Sequence, residues 1–316
     1  MAYAMGTPEI HAVARVIKGG FLFRYGRKAD GWRGEVERFE TRWAKFIGVP
    51  YAVNVTSGTA APMTAMAALG IGRGDEVIVP GYTFMATPLA VLACGGIPVV
   101  ADVDAGLGLD AADVARKITP RTKAIIPVHM IGLIANLGPL LTLARKHRLH
   151  VIEDCCQATG GRWRGKRVGS WGAAGAFSHN HYKTISAGEG GTVTVKARAH
   201  FERAMIYQDS GAYFFDPRMR HFKQERYFSG VQFRMSEVLG AVLNAQMDRL
   251  PAMLARMNAT KRRLYAAFRH HPVCPAAPVH DLAGDCGKTL ILRVDSPARA
   301  LRLGDALAAR GFWCGT

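Results

Sequence analysis

The chain has 316 residues, 41 of them Lys or Arg against 24 Asp or Glu, so its formal net charge is +17. A content of 49% hydrophobic and 21% charged residues is that of a globular protein and excludes a disordered chain too poor in apolar residues to bury a core. The 35 glycines follow no fixed period, which excludes a collagen-like rod, and no uncharged apolar run is long enough to span a bilayer.

Length points to one large domain with something smaller beside it. The opening MAYAMGTPEIHAVARVIKGG lacks the apolar centre of a signal peptide, so a cytoplasmic location is expected. In EVERFETRWAKFI (35–47), Val36, Phe39, Trp43, Phe46 and Ile47 fall at helical spacing, and Gly48 stops the helix. YAVNV (51–55) reads as a strand, followed by a small-residue turn and the helix PMTAMAALG. Strands are then expected at EVIVP (76–80), IPVVADV (97–103), KAIIPVH (123–129) and HVIED (150–154). Helices alternate with them at 88–95, 111–118 and 137–147. Alternation of this kind predicts an α/β fold with a mainly parallel sheet, and Val/Ile runs fit strands buried on both faces. Two more strands, 172–178 and 190–196, flank the loop HNHYKTISAGE; long helices follow at 236–250 and 252–271. Beyond Pro272 the pattern restarts with a strand at TLILRV (289–294) and a helix at 300–311.

The cysteines, Cys94, Cys155, Cys156, Cys274, Cys286 and Cys314, show no C-x-x-C spacing, and adjacent Cys155 and Cys156 read as reduced, buried small residues. The basic charge is densest between Lys196 and Arg269. No run of five like charges and no nucleic-acid motif accompanies it, so solvated helix faces or attraction of anionic small molecules are preferred over nucleic-acid binding.

Three segments carry chemistry. Ser57-Gly58-Thr59-Ala60-Ala61 is a turn between strand and helix whose N–H groups suit a phosphate, though an ordinary βα turn looks the same. Asp154 ends a buried parallel strand, where open α/β sheets place ligands; a heterocyclic nitrogen or an arginine would serve as its partner. Lys183 lies past a strand and before Gly188-Glu189-Gly190-Gly191, as an amine nucleophile or a surface lysine. His179 and His181 have i, i+2 spacing but no third ligand nearby, so no metal is expected.

A phosphate turn, an acid at a strand end and a loop lysine together are the anchors that pyridoxal 5'-phosphate (PLP) needs. The stretch from Thr56 to Gly191 closely resembles the sugar aminotransferase group (the DegT/StrS family) of fold-type I PLP-dependent enzymes. The matching pieces are SGTAA, ALGIGRGDEVIVPGYTF, VVADVD, ITPRTKAIIPVH, VIEDCCQATGG, GKRVGSWG, AFS…K and GEGG, with a weaker match at RMSE (234–237). This resemblance implies an aspartate aminotransferase-like large domain over 1–250 and the beginning of a small C-terminal α/β domain over 251–316. It implies Lys183 as the Schiff-base lysine and proton shuttle, and Asp154 as the partner of the pyridinium nitrogen. Gln157 would lie against the ring or reach its phenolic oxygen. Gly58, Thr59 and Ala60, with the Ser178 hydroxyl, would hold the phosphate, and Phe84, ahead of Tyr82, would stack on the ring. Gln232 and Arg234 would complete the site from a neighbouring subunit of a homodimer.

The activity so implied is transfer of an amino group from glutamate or glutamine to a keto sugar, nucleotide-linked. One rival is a non-catalytic PLP-binding sensor; another is a PLP-dependent keto-sugar dehydratase, a branch that replaces the lysine with His. This chain departs from the family in carrying His179 where an aromatic follows the serine, Gln232 where Asn is common, and only part of the small domain.

Overall fold

The computed structural model describes residues 5–212, 214–219, 221, 227–312 and 314–315. Its strands are β1 (Tyr51–Val55), β2 (Glu76–Pro80), β3 (Ile97–Ala101), β4 (Thr122–Ile125), β5 (His150–Asp154), β6 (Arg162–Trp163), β7 (Lys166–Arg167), β8 (Ala174–Ser178) and β9 (Gly191–Val195). The helices are α1 (Thr7–Gly19), α2 (Glu35–Ile47), α3 (Ala60–Leu69), α4 (Ala86–Ala93), α5 (Ala111–Lys117), α6 (Leu137–His147), α7 (Arg198–Gln208), α8 (Glu237–Met247), α9 (Leu250–Phe268) and α10 (Pro297–Ala308). Seven strands make one sheet in the order β1-β9-β8-β5-β4-β2-β3, and β6 with β7 forms a separate hairpin. Only β9 runs against its neighbours β1 and β8; the other pairings are parallel, as the βα alternation predicts.

Each strand divides its side chains between two cores because successive residues face opposite ways. On one face Val77, Val79, Ile152, Ala174 and Ala176 pack with Ala61, Ala65 and Met66 of α3, Ala90 and Val91 of α4, and Phe201 and Met205 of α7. On the other face Ile78, Ile125 and Val151 meet Val114 of α5 and Leu140 of α6, while Phe177 meets Phe39 and Trp43 of α2 and Leu243 of α8. Full burial of Phe39 alone contributes roughly 2–3 kcal/mol.

Several boundaries differ from expectation for physical reasons. The strand expected over 123–129 ends at Ile125 because Pro127 has no N–H to give a ladder. The strand expected over 289–294 does not form. Ala276 and Leu292 make a single bridge, with Ala277 N–H to Ile291 O and Arg293 N–H to Pro275 O at 2.9 Å, and a Val/Ile run without a ladder of neighbours is not a strand. Helices α1 and α7 and the β6–β7 hairpin were not expected. Helix α1 is positioned by Ala12 and Val16, which pack on Ala241 of α8.

Candidate active site

Parallel strands bring their carboxyl ends to one edge, so β1, β2, β4, β5 and β8 deliver the turns after them to the same side of the sheet. Alternation along β5 then decides between two adjacent carboxylates. Ile152 faces the α3/α4 core, so Asp154 faces that way too and Glu153 faces the opposite side.

Asp154 is buried and doubly held. Thr87 Oγ1, from α4, donates to its Oδ2 at 2.8 Å, and the Cys156 N–H donates to its Oδ1 at 3.0 Å. Thr83 Oγ1 lies 3.0 Å from Thr87 Oγ1, extending the chain of hydroxyls towards solvent. The two bonds fix the plane of the carboxylate. The sequence does not single out Thr87; the available signal is its place in the first turn of a helix that follows a strand end.

Glu153 serves the scaffold. It accepts from the Gly169, Trp171 and Gly172 N–H groups at 2.7–2.8 Å. His129 Nε2 stands 3.5 Å from Glu153 Oε2, and His129, Glu153 and Cys155 bring potential metal-ligand atoms together in the core. The Ala135 N–H donates to His129 Nδ1 at 3.1 Å, which turns Nε2 toward Glu153. A cation there would compete with three amides for Glu153. The arrangement is a buried strut behind Asp154.

The register joins the phosphate turn to the serine. Ser178 pairs with Gly191, and Gly191 with Val55, so the end of β8 and the turn after β1 lie in one row. Gly58 sits so close to Ser178 that an added Cβ would stand 2.6 Å from both its Cβ and Oγ. The Ala60 N–H is taken by Ser57 Oγ at 3.0 Å, whereas the N–H groups of Gly58 and Thr59 have no acceptor among the described residues. Ser178 Oγ accepts from the Asn180 N–H at 3.3 Å, which leaves its own proton free to donate. This cradle of two open amides and a hydroxyl at the start of α3 fits a phosphate.

Lys183 follows a turn in which its N–H bonds to Asn180 O at 2.9 Å. Its charge reaches the Cys156 thiol, which desolvation and Asp154 push well up in pKa. Cys156 Sγ also lies 3.7 Å from Gly58 O and 3.8 Å from Ala176 O, so the phosphate turn and the end of β8 meet beside Asp154. Gln157 Oε1 accepts from the Ile131 N–H at 3.2 Å, fixing it across the mouth of the strand-end cleft. Phe84 is 61% exposed and Tyr82 44% exposed, both on the turn leading into α4.

His179 replaces an aromatic by behaving as one. Its ring lies edge-on to Phe39 and Trp43 at 5.3 and 5.1 Å, its Nε2 is 2.7 Å from Thr192 Oγ1, and burial pushes its pKa down to about 3. His181 is exposed, so the two histidines do not share a ligand position. Arg234 pairs with Asp209 of its own chain, and its backbone bridges Val55 beside the phosphate turn.

The chain is 39% identical to GDP-perosamine synthase of Caulobacter vibrioides over 221 residues, 70% of this chain and 58% of that protein. It is 45% identical to L-glutamine:2-deoxy-scyllo-inosose aminotransferase of Micromonospora echinospora over 168 residues, 53% of this chain and 40% of that one. It therefore spans less than two thirds of the length of these curated relatives. The crystal structure of 3-amino-5-hydroxybenzoic acid synthase superposes with a TM-score of 0.87 at 30% identity, covering 98% of this chain and 79% of that one. The sequence pattern of the DegT/DnrJ/EryC1/StrS aminotransferase family matches residues 4–300, and the chain belongs to that family.

Proposed function

We propose that this chain is the PLP-binding part of an aminotransferase that moves an amino group from glutamate or glutamine to a keto sugar, nucleotide-linked. The observation that carries this reading is the convergence of Asp154, the Gly58–Ser178 cradle and Lys183 at one edge of the sheet. Relatives named for a GDP-linked sugar and for an L-glutamine-dependent step support the two substrate classes.

When bound, PLP supplies an electron sink that stabilises negative charge on the amino-bearing carbon. Asp154 would hold a proton at the pyridine nitrogen, with Thr87 and the Cys156 N–H fixing the orientation of its carboxylate. The N–H groups of Gly58 and Thr59 and the hydroxyl of Ser178 bind phosphate oxygens, Ala60 being committed to Ser57. Gln157 borders the ring edge, and Phe84 covers its face. Lys183 Nζ removes and returns the proton on the substrate carbon.

We place the large domain at 1–250 and the beginning of the small domain at 251–316. A homodimer is supported by the exposed apolar residues Phe84 and Met85 before α4, Leu89 and Leu92 of α4 and Val100 of β3, each more than 40% exposed. In that dimer Gln232 and Arg234 contribute to the partner's site. Six free thiols fit a cytoplasmic setting, and no helix among the described residues is long and apolar enough to cross a membrane.

The test is covalent. Borohydride reduction of the PLP-loaded protein followed by peptide mapping is expected to find the cofactor mass on the peptide containing Lys183. Lys183→Ala is expected to retain PLP through phosphate and ring contacts, with no visible absorbance band and no turnover. Label on another lysine, or full activity of the alanine variant, overturns the assignment.

A further inference from the structure

We propose that Lys288 is an anion-recognition residue of the Lys183 site, binding a carboxylate or phosphate oxygen of a substrate. The inference rests on the PLP reading for the identity of the site, but its observations are separate. They come from a segment far from the family's cofactor motifs.

Lys288 is built into the cleft. Its Cβ lies so close to Gly132 that a Cβ added there would stand 3.0 Å from it, 2.5 Å from Cys286 Sγ and 3.4 Å from Gln157 O. The stem of Lys288 therefore rises beside Gln157, whose side chain is fixed on Ile131. The preceding residues are pinned. Asp285 forms a buried ion pair with Lys261, the Gly287 N–H donates to Asp285 Oδ1 at 2.8 Å, and Cys286 Sγ donates to Gly132 O at 3.3 Å. Gly287 adopts φ +77° with its open side 2.4 Å from the backbone of Met257 and Asn258, which no larger residue could occupy.

The charge at the end of this stem is unmatched. Lys288 is half-buried and its ammonium has no acceptor among the described residues. Desolvation lowers its pKa, and the nearby charge of Lys183 lowers it further. Lys288 thus lies within electrostatic reach of Lys183, and the Asp154 carboxylate is already held by Thr87 and the Cys156 N–H. A partly desolvated cation without a counter-charge is costly, and an incoming anion removes that cost. Both proposed substrates bring one: the donor a carboxylate, the nucleotide-linked sugar a diphosphate.

Calorimetric titration of the PLP-loaded full chain with glutarate and, separately, with GDP tests this. Lys288→Met is expected to weaken one of the two by at least about tenfold, and Lys288→Arg to restore most of that affinity. Loss confined to glutarate assigns Lys288 to the donor carboxylate; loss confined to GDP assigns it to the phosphate. Unchanged affinity for both in a Lys288→Met protein of normal thermal stability overturns the proposal, as does absence of binding by the unsubstituted protein. PLP uptake with a normal visible band but no effect of Lys288→Met removes this inference alone. Failure of PLP uptake together with a Lys288-dependent anion affinity removes the cofactor reading alone.

Discussion

His179 and Thr87 are each defined by what burial leaves them to bond with. His179 is neutral in the folded chain, with its pKa near 3, against 6.5 when exposed. Because the folded value lies below the unfolded one, the associated stability is complete above about pH 6.5. It is then lost as pH falls towards 3, at up to about 1.4 kcal/mol per pH unit. His179→Phe keeps the ring between Phe39 and Trp43 and is expected to flatten the acid limb of stability between pH 6.5 and 4, read by urea unfolding. An unchanged slope would mean that other groups carry it. Thr87→Val removes a hydrogen bond to the Asp154 carboxylate and is expected to cost about 1.5–3 kcal/mol of stability in the cofactor-free protein. Thr87→Ser is expected to keep most of it. A Val variant as stable as the parent would leave the Cys156 N–H as the sole support of Asp154.

At the level of the element, the turn between β1 and α3 does its work through contact with β8. An alanine at position 58 places a methyl group 2.6 Å from the Cβ and Oγ of Ser178 and 3.4 Å from its Cα. Gly58→Ala is expected to weaken PLP binding at least tenfold, about 1.4 kcal/mol, in equilibrium titrations, with Ser178 displaced. Affinity equal to that of the parent would separate the turn from the phosphate site. The sequence shows why these elements were legible: Val/Ile runs alternating with amphipathic or Ala-rich helices leave little choice but a parallel sheet. It was less informative about 289–294, where a run of β-formers found one bridge instead of a ladder. Strand formation depends on the neighbour as much as on the residues themselves.

For the whole molecule, charge and apolar surface make separate demands. A net charge of +17 repels like copies, yet α4, the residues before it and β3 leave Phe84, Met85, Leu89, Leu92 and Val100 exposed. The proposed homodimer is expected to bury that surface, with the repulsion screened at physiological salt. Sedimentation is expected to find a dimer for the parent and a monomer for Met85→Glu with Leu89→Glu. A dimer surviving both charges would place the interface elsewhere. Mixing Lys183→Ala with Arg234→Ala protein is expected to restore some activity if Arg234 serves the partner's site; full cofactor affinity in Arg234→Ala would argue against it.

By itself the sequence determined the alternation of strands and helices from β1 to β5, the turn at Ser57–Ala61, the acid at the end of HVIED and the lysine before the glycine turn. These follow from local periodicity and from residue chemistry. The sequence also named Asp154, and the tertiary structure supplied the packing behind it: Asp154 faces the same side of β5 as buried Ile152, and Glu153 the other. Only the tertiary structure showed Thr87 on Asp154, Ser57 closing the Ala60 N–H, His179 standing in for an aromatic ring, and Lys288 beside Gln157. Each of these pairs residues distant in sequence or decides between adjacent ones by packing, and no period along the chain records such a contact.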